Sequence, residues 1–207
     1  MVHESRAAEI IVRKALKQYD KVNGKVFTIS IDGPTACGKT IAANRVKQLL
    51  EDEEFNVIIF QLDWALVGRP QRVEELATFR ETSSEFPFEA ELHMRLNLLS
   101  EFLEEVGRYK SGADLHYKIE LKELYDRNMD GLEVGSKSLR LSQKTIIIIE
   151  GHYGLRSEFL SAIDLNVILM ADVSELIQRK VERVAKYRNA QDAIDYFHFV
   201  DLPSIKK

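Results

Sequence analysis

The octet Gly33-Pro34-Thr35-Ala36-Cys37-Gly38-Lys39-Thr40 fits the pattern G-x-x-x-x-G-K-[ST], and its flanks restrict the fold more than any other stretch of the chain. Before it, Val26, Phe27, Ile29 and Ile31 are β-branched or aromatic and stop at Asp32, as a buried strand does. After it, a helix is expected to run to about Glu53. Gly33 and Gly38 can take backbone angles that a side chain would forbid, so successive N–H groups turn inward into a nest for phosphate oxygens. Lys39 adds a point charge for the β- and γ-phosphates and Thr40 a hydroxyl for Mg²⁺, while the helix aims its positive end at the anion. Pro34, Thr35 and Ala36 complete the loop. Cys37 fills a small-residue slot without catalytic duty, and its place near a helix N-terminus favours the thiolate.

Further strands and helices alternate with this unit. Asn56 to Leu62 reads as a second strand ending at Asp63, Thr145 to Gly151 as a third, apolar enough to be buried on both faces, and Leu165 to Ala171 as a fourth. An amphipathic helix over 4–21 carries Ala8, Ile11, Val12, Ala15, Leu16 and Tyr19 on one stripe, and Asn23-Gly24 ends it. Residues 65–85 read as polar and partly helical, Phe88 to Tyr109 as a helix, His116 to Asp126 as a short strand or hairpin, and Asn128 to Ser136 as turn. Helices are also expected over Ser174–Tyr187 and Ala190–Val200. The alternation implies an α/β fold, a doubly wound parallel sheet with helices on both faces.

Acidic residues at the carboxyl ends of parallel strands stand where such sheets bind ligands. Asp63 and Glu150 are therefore candidates for the same crevice as the glycine loop, the lesser alternative for Asp63 being a turn or cap residue. The 207 residues suit one domain, and the formal charge of −4 gives no reason to expect nucleic acid or an anionic membrane as partner. One cysteine excludes an internal disulfide framework and fits a reducing cytoplasm. There is no signal peptide and no apolar run long enough to span a bilayer.

The ordered set VFTISIDGPTACGKT, FQLDW, LYDRNMDG, IIIIEGHYGLR and LIQRKVERVAKYR resembles the uridine kinase and phosphoribulokinase family of P-loop small-molecule kinases, over roughly residues 25–190. The resemblance implies a single P-loop NTPase domain over 1–207, with an N-terminal packing helix (1–24), a small substrate-side insertion (about 64–136) and a lid (about 174–190). It implies ATP and Mg²⁺ as cofactors and a small-molecule acceptor as partner; a homo-oligomer stays open. Asp63 matches the family's general base towards the acceptor hydroxyl, which also helps hold Mg²⁺. Glu150 matches the acid that reaches the metal.

Tyr125 and Asp126 match the tyrosine-aspartate of the family's substrate loop, with Arg127 next to them. Arg179, Arg183 and Arg188 match lid positions where arginines face the transferring phosphoryl group, Arg183 foremost. A basic row on an amphipathic helix can also be simply solvated. His152 stands beside Glu150, either touching substrate or serving as a structural hydrogen-bonder. Asp130 occupies the place of a histidine that contacts the base in uridine kinases, which points away from uridine or cytidine and towards a sugar, a sugar phosphate or another hydroxylated metabolite. The family also continues past the lid into a further strand, whereas this sequence stops at Lys207, so that strand is missing or trimmed.

The reading is thus an ATP- and Mg²⁺-dependent kinase acting on a hydroxyl of a small metabolite. Its rivals are a nucleoside-monophosphate or shikimate-type kinase, and a non-catalytic ATP-binding regulatory module. The lack of an N-K-x-D pattern and the E-G-H to which the third strand leads argue against a GTPase switch.

Overall fold

A computed structural model describes residues 2–22, 26–68, 94–112, 116–126, 132–152 and 154–184, with 191 and 194. In chain order these residues form α1 (Val2–Tyr19), β1 (Val26–Asp32), α2 (Lys39–Asp52), β2 (Asn56–Gln61), α3 (Leu96–Ser111), β3 (His116–Asp126), β4 (Leu132–Ser142), β5 (Thr145–Gly151), β6 (Leu165–Ile168) and α4 (Val173–Val184). Short 3-10 turns cover Leu62–Ala65 and Leu160–Ala162.

Four of the strands make a parallel sheet in the order β2-β5-β1-β6. β5, buried throughout, lies between β1 and β2, as its unbroken apolar run requires. The register pairs Asp32 with Gly151 and Gln61 with Glu150, so β1, β2 and β5 end level along one edge. That edge carries the site.

Alternation along the strands divides the core in two. Phe27, Ile29, Ile31, Ile146 and Ile148 pack on the face that carries α1 and α2, where Ala8, Ala15 and Ala43 are fully buried and let the two helices come close. Phe60, Ile147 and Ile149 pack on the other face against Leu99, Phe102 and Val106 of α3, with the antiparallel ribbon β3–β4 completing that layer through Ile119, Leu121 and Leu141. Phe60 stacks on Phe102 with ring centroids 4.6 Å apart. Lys110 of α3 pairs with Asp164 at 2.9 Å, and Asp164 also accepts the Thr28 amide at 2.7 Å, which ties α3 to the sheet.

Several element ends differ from the sequence expectation. β2 stops at Gln61, and Asp63 rides on the following 3-10 turn. Met94, expected inside the helix from Phe88, forms a β-bridge with Leu66 instead, and α3 starts at Leu96; residues 88–93 lie outside the described residues. Leu132 to Ser136, expected as turn, belongs to β4, and β6 ends at Ile168 instead of Ala171. The expected segment 69–85, most of the helix over 190–200 and the Asn23-Gly24 stop lie outside the described residues.

Candidate active site

The loop leaving β1 is shaped by its glycines. Gly33 has φ +149°, and a Cβ there would lie 2.3 Å from the Leu169 carbonyl oxygen; Gly38 has φ 94° and leads into α2. Only glycine meets both demands without strain. α2 has no side-chain cap, so its leading N–H groups remain available to an anion. Ala36 also takes a left-handed conformation, φ 64°. The buried Lys39 folds back over the loop, its Nζ donating to the carbonyls of Gly33 at 2.9 Å and Pro34 at 2.8 Å.

Asp32, directly before the loop, extends this framework. Asp32 accepts the Gly33 N–H on one carboxylate oxygen at 2.6 Å and the Leu155 N–H on the other at 3.2 Å, so it clamps the start of the loop to the segment after β5. Burial pushes its carboxyl above the usual range, against the pull of these amides and Lys39. Sequence reasoning passed over Asp32 except as a strand end; its one signal was an acid placed directly before the first loop glycine.

The strand ends deliver the other polar groups. Thr40 Oγ1 donates to the Glu150 carboxylate at 3.1 Å, and Glu150 is 93% withdrawn from solvent at the end of β5, with 7% of its surface exposed. Gly151 follows with φ +152°, where a Cβ would strike Leu62 at 2.5 Å. His152 Nε2 lies 3.3 Å from Thr35 Oγ1. Burial, then the positive charges of Lys39 and Lys180, push the His152 imidazole down to about 3, so its ring is neutral.

These groups line two adjoining spaces. The first, about 760 Å³, is bounded by Thr35, Ala36, Gly38, Lys39, His152 and Arg179. The second, about 520 Å³, is bounded by Gln61, Trp64, Tyr125, Asp126, Ser136 and Lys137. Thr40, Asp63, Glu150 and Arg183 belong to both. Arg179, one helical turn before Arg183 on α4, pairs with Glu175 at 2.6 Å and donates to the Ala36 carbonyl at 3.4 Å.

Cys37 lies outside both linings. It packs against Leu176 of α4, and burial pushes its thiol up, so the thiolate expected from the helix N-terminus is not favoured. Arg127, Asp130 and Arg188 lie outside the described residues. Lys137 was not singled out in the sequence, since nothing local marks a β-ribbon lysine as part of a cleft.

The donor set suits a hard cation. Thr40, Asp63 and Glu150 offer only oxygen, the ligand type Mg²⁺ takes. Among the described residues no cluster of three or more His, Cys, Asp or Glu forms an all-protein cage. A Mg²⁺ ion that keeps waters and shares phosphate oxygens needs none.

A parallel sheet with a glycine phosphate loop at its carboxyl edge defines a P-loop fold. The model of the phosphoribulokinase / uridine kinase family matches residues 28–197, and the chain belongs to that family of kinases, which act on small metabolites. Among solved structures it is similar to D-glycerate 3-kinase from Cryptococcus neoformans var. grubii, with TM-score 0.67 and 11% identity over 96% of this chain and 88% of that one. It is similar also to phosphoribulokinase from Rhodobacter spheroides, with TM-score 0.59 and 16% identity over 88% of this chain and 67% of that one. A third likeness is to a possible uridine kinase from Bacillus stearothermophilus, with TM-score 0.52 and 22% identity over 87% and 85%. At these identities the likeness is one of fold. No curated protein matches the sequence.

Proposed function

We propose that this protein is an ATP- and Mg²⁺-dependent kinase that phosphorylates a hydroxyl of a small metabolite, with the phosphate-loop cavity taking the nucleotide and the adjoining cleft the acceptor. The observation that carries this reading is the shared wall: Thr40, Asp63, Glu150 and Arg183 border both spaces, as groups acting on a phosphoryl in transit must. Lys39 and the loop N–H groups bind and orient the polyphosphate. ATP supplies the phosphoryl group and Mg²⁺ neutralises charge on its oxygens when both are bound, with Thr40, Asp63 and Glu150 as the residues that would hold the metal. Asp63 takes the proton of the acceptor hydroxyl. Arg183 would set its positive charge against the phosphoryl group in transit, and Arg179 supports the same cavity from the preceding turn. Tyr125 and Asp126 bind acceptor hydroxyls at the end of β3, and His152, neutral beside Thr35, offers the loop a hydrogen bond without adding charge. The relatives in fold named above act, by their names, on glycerate, ribulose phosphate or uridine, which supports a hydroxylated small molecule as the acceptor class.

The test is a metabolite panel with MgATP, reading ADP release, run on wild type and Asp63→Asn. General-base catalysis contributes about 10²–10⁴-fold. In Asp63→Asn, kcat should fall by about that range with ATP affinity little changed, and added Mg²⁺ should recover only the part lost through the metal. Full activity in this variant would remove Asp63 from the chemistry.

A further inference from the structure

The acceptor cleft contains five charged groups, and four have work in the reading above: Asp63, Glu150 and Arg183 on the shared wall and Asp126 beside it. The fifth, Lys137, borders the acceptor cleft and not the phosphate cavity. It stands on β4 opposite the buried Leu121 of β3, so its place is fixed by the ribbon. Its Nζ lies 4.9 Å from the centroid of the Trp64 ring, which in turn meets Phe60 edge-on at 5.4 Å. The indole gives the ammonium a direction but accepts none of its hydrogen bonds in the ordinary sense. Among the ion pairs of the described residues none involves Lys137.

An ammonium with three donors, held over an aromatic ring in a cleft whose other charged groups are three carboxylates and the shared-wall Arg183, is suited to an anion that arrives with the ligand. We propose that Lys137 anchors a carboxylate or phosphate group of the acceptor, so that the cleft selects an anionic polyhydroxylated metabolite over its neutral counterpart. This rests on the assignment of the cleft to the acceptor. The two ends of such a ligand meet opposite demands. Its reacting hydroxyl points to the wall with Asp63, and its anion is kept away from the three carboxylates by pairing with Lys137. A neutral polyol would gain nothing from Lys137, whereas an anionic one gains charge-assisted hydrogen bonds.

Trp64 is the sole tryptophan of the chain, so its emission reports on the cleft directly. The full-length protein, with its phosphate loop saturated by a non-hydrolysable ATP analogue and Mg²⁺, is titrated with two matched pairs: glycerol against D-glycerate, and ribose against ribose 5-phosphate. The first pair tests a carboxylate, the second a phosphate ester. At least one anionic member should bind saturably and its neutral partner should not. Lys137→Met should weaken that binding about 10- to 100-fold, the worth of hydrogen bonds to a charged group. Lys137→Arg should retain most of it, and both variants should melt with wild type.

Three results would each overturn the proposal: neutral members binding as tightly as their anionic partners, Lys137→Met binding anions like wild type, or wild type binding no member. ADP release with MgATP tests the underlying assignment separately. Lys137-dependent anion binding without acceptor-stimulated ADP release would uphold the contact and strike down the acceptor reading of the cleft.

Discussion

Lys39 is held over the loop by two backbone carbonyls, those of Gly33 and Pro34, which orient its charge without neutralising it. A phosphate arriving in the nest therefore meets a cation already in place. Removing it in Lys39→Ala should lower kcat by at least about 10²-fold, the scale on which single preorganised charge-stabilising groups act. Wild-type turnover in the purified variant would show that the loop takes no part. His152 gives a pH signature. Its ring titrates from 6.5 in the unfolded chain and near 3 in the folded one, so the unfolded state binds more protons between those values. Its effect on stability is nil above about pH 6.5 and becomes a loss as pH falls towards 3, at most about 1.4 kcal/mol per pH unit. Urea midpoints measured across this window should fall with acid in wild type and fall less steeply in His152→Gln; equal slopes would show that another group carries the effect. Cys37 behaves oppositely to the expectation from its place in the loop. A thiol buried against Leu176, with burial raising its pKa, should react with iodoacetamide at pH 7.5 at least about tenfold more slowly than free cysteine, with MgATP making little difference. Rapid labelling that MgATP blocks would restore the nucleotide-facing thiol.

At the level of elements, α2 ends on a residue that its conformation does not favour. Phe55 N–H bonds to the Leu50 carbonyl at 3.1 Å and Glu54 N–H to that of Glu51 at 3.0 Å, the pattern of a left-handed C-terminal cap, and Glu54 takes φ 63° to make it. Glycine has no penalty there, so Glu54→Gly should raise stability by about 0.5–1 kcal/mol in urea unfolding. A loss would mean that Glu54 contributes through its side chain. The same local chemistry decided what the sequence made legible. β1 and β5 match their expected bounds closely because apolar runs end on Asp32 and on Glu150-Gly151. α2 is legible because the glycine loop fixes its start. The β4 strand was hidden because Gly135 reads as a turn, yet it pairs with Leu124 where a Cβ would come within 3.2 Å of the Leu124 carbonyl; there glycine marks close approach of two strands. Met94, expected inside α3, is instead bridged to Leu66, a tertiary contact no periodicity reports. In the site, Lys39, Thr40, Asp63 and Glu150 were visible through strand ends and motif spacing. Asp32 and Lys137 matter only once Leu155 and Trp64 fold beside them.

For the whole molecule, the sheet is a partition with a different part of the site on each side. On one face, α2 packs against α1 through fully buried Ala43, and the start of α2 carries Lys39 and Thr40. On the other, Phe102 of α3 stacks on Phe60, Phe60 meets Trp64 edge-on, and Trp64 lines the second cleft beneath Lys137. The two chains of contact have no side chain in common, and substitutions in separate cores act nearly independently. Ala43→Val overpacks the helix contact and Phe102→Leu underpacks the aromatic one, each at about 1–3 kcal/mol. Comparable losses of stability should therefore have unlike kinetic consequences. At a temperature where both variants are folded, Ala43→Val should raise KM for ATP by displacing the start of α2 while KM for the acceptor stays near wild type. Phe102→Leu should do the reverse, because Phe60 loses the ring that backs it against Trp64 while the phosphate loop keeps its support. Matched shifts of both constants in both variants would show that the sheet transmits strain from face to face, and that the two clefts behave as one deformable site.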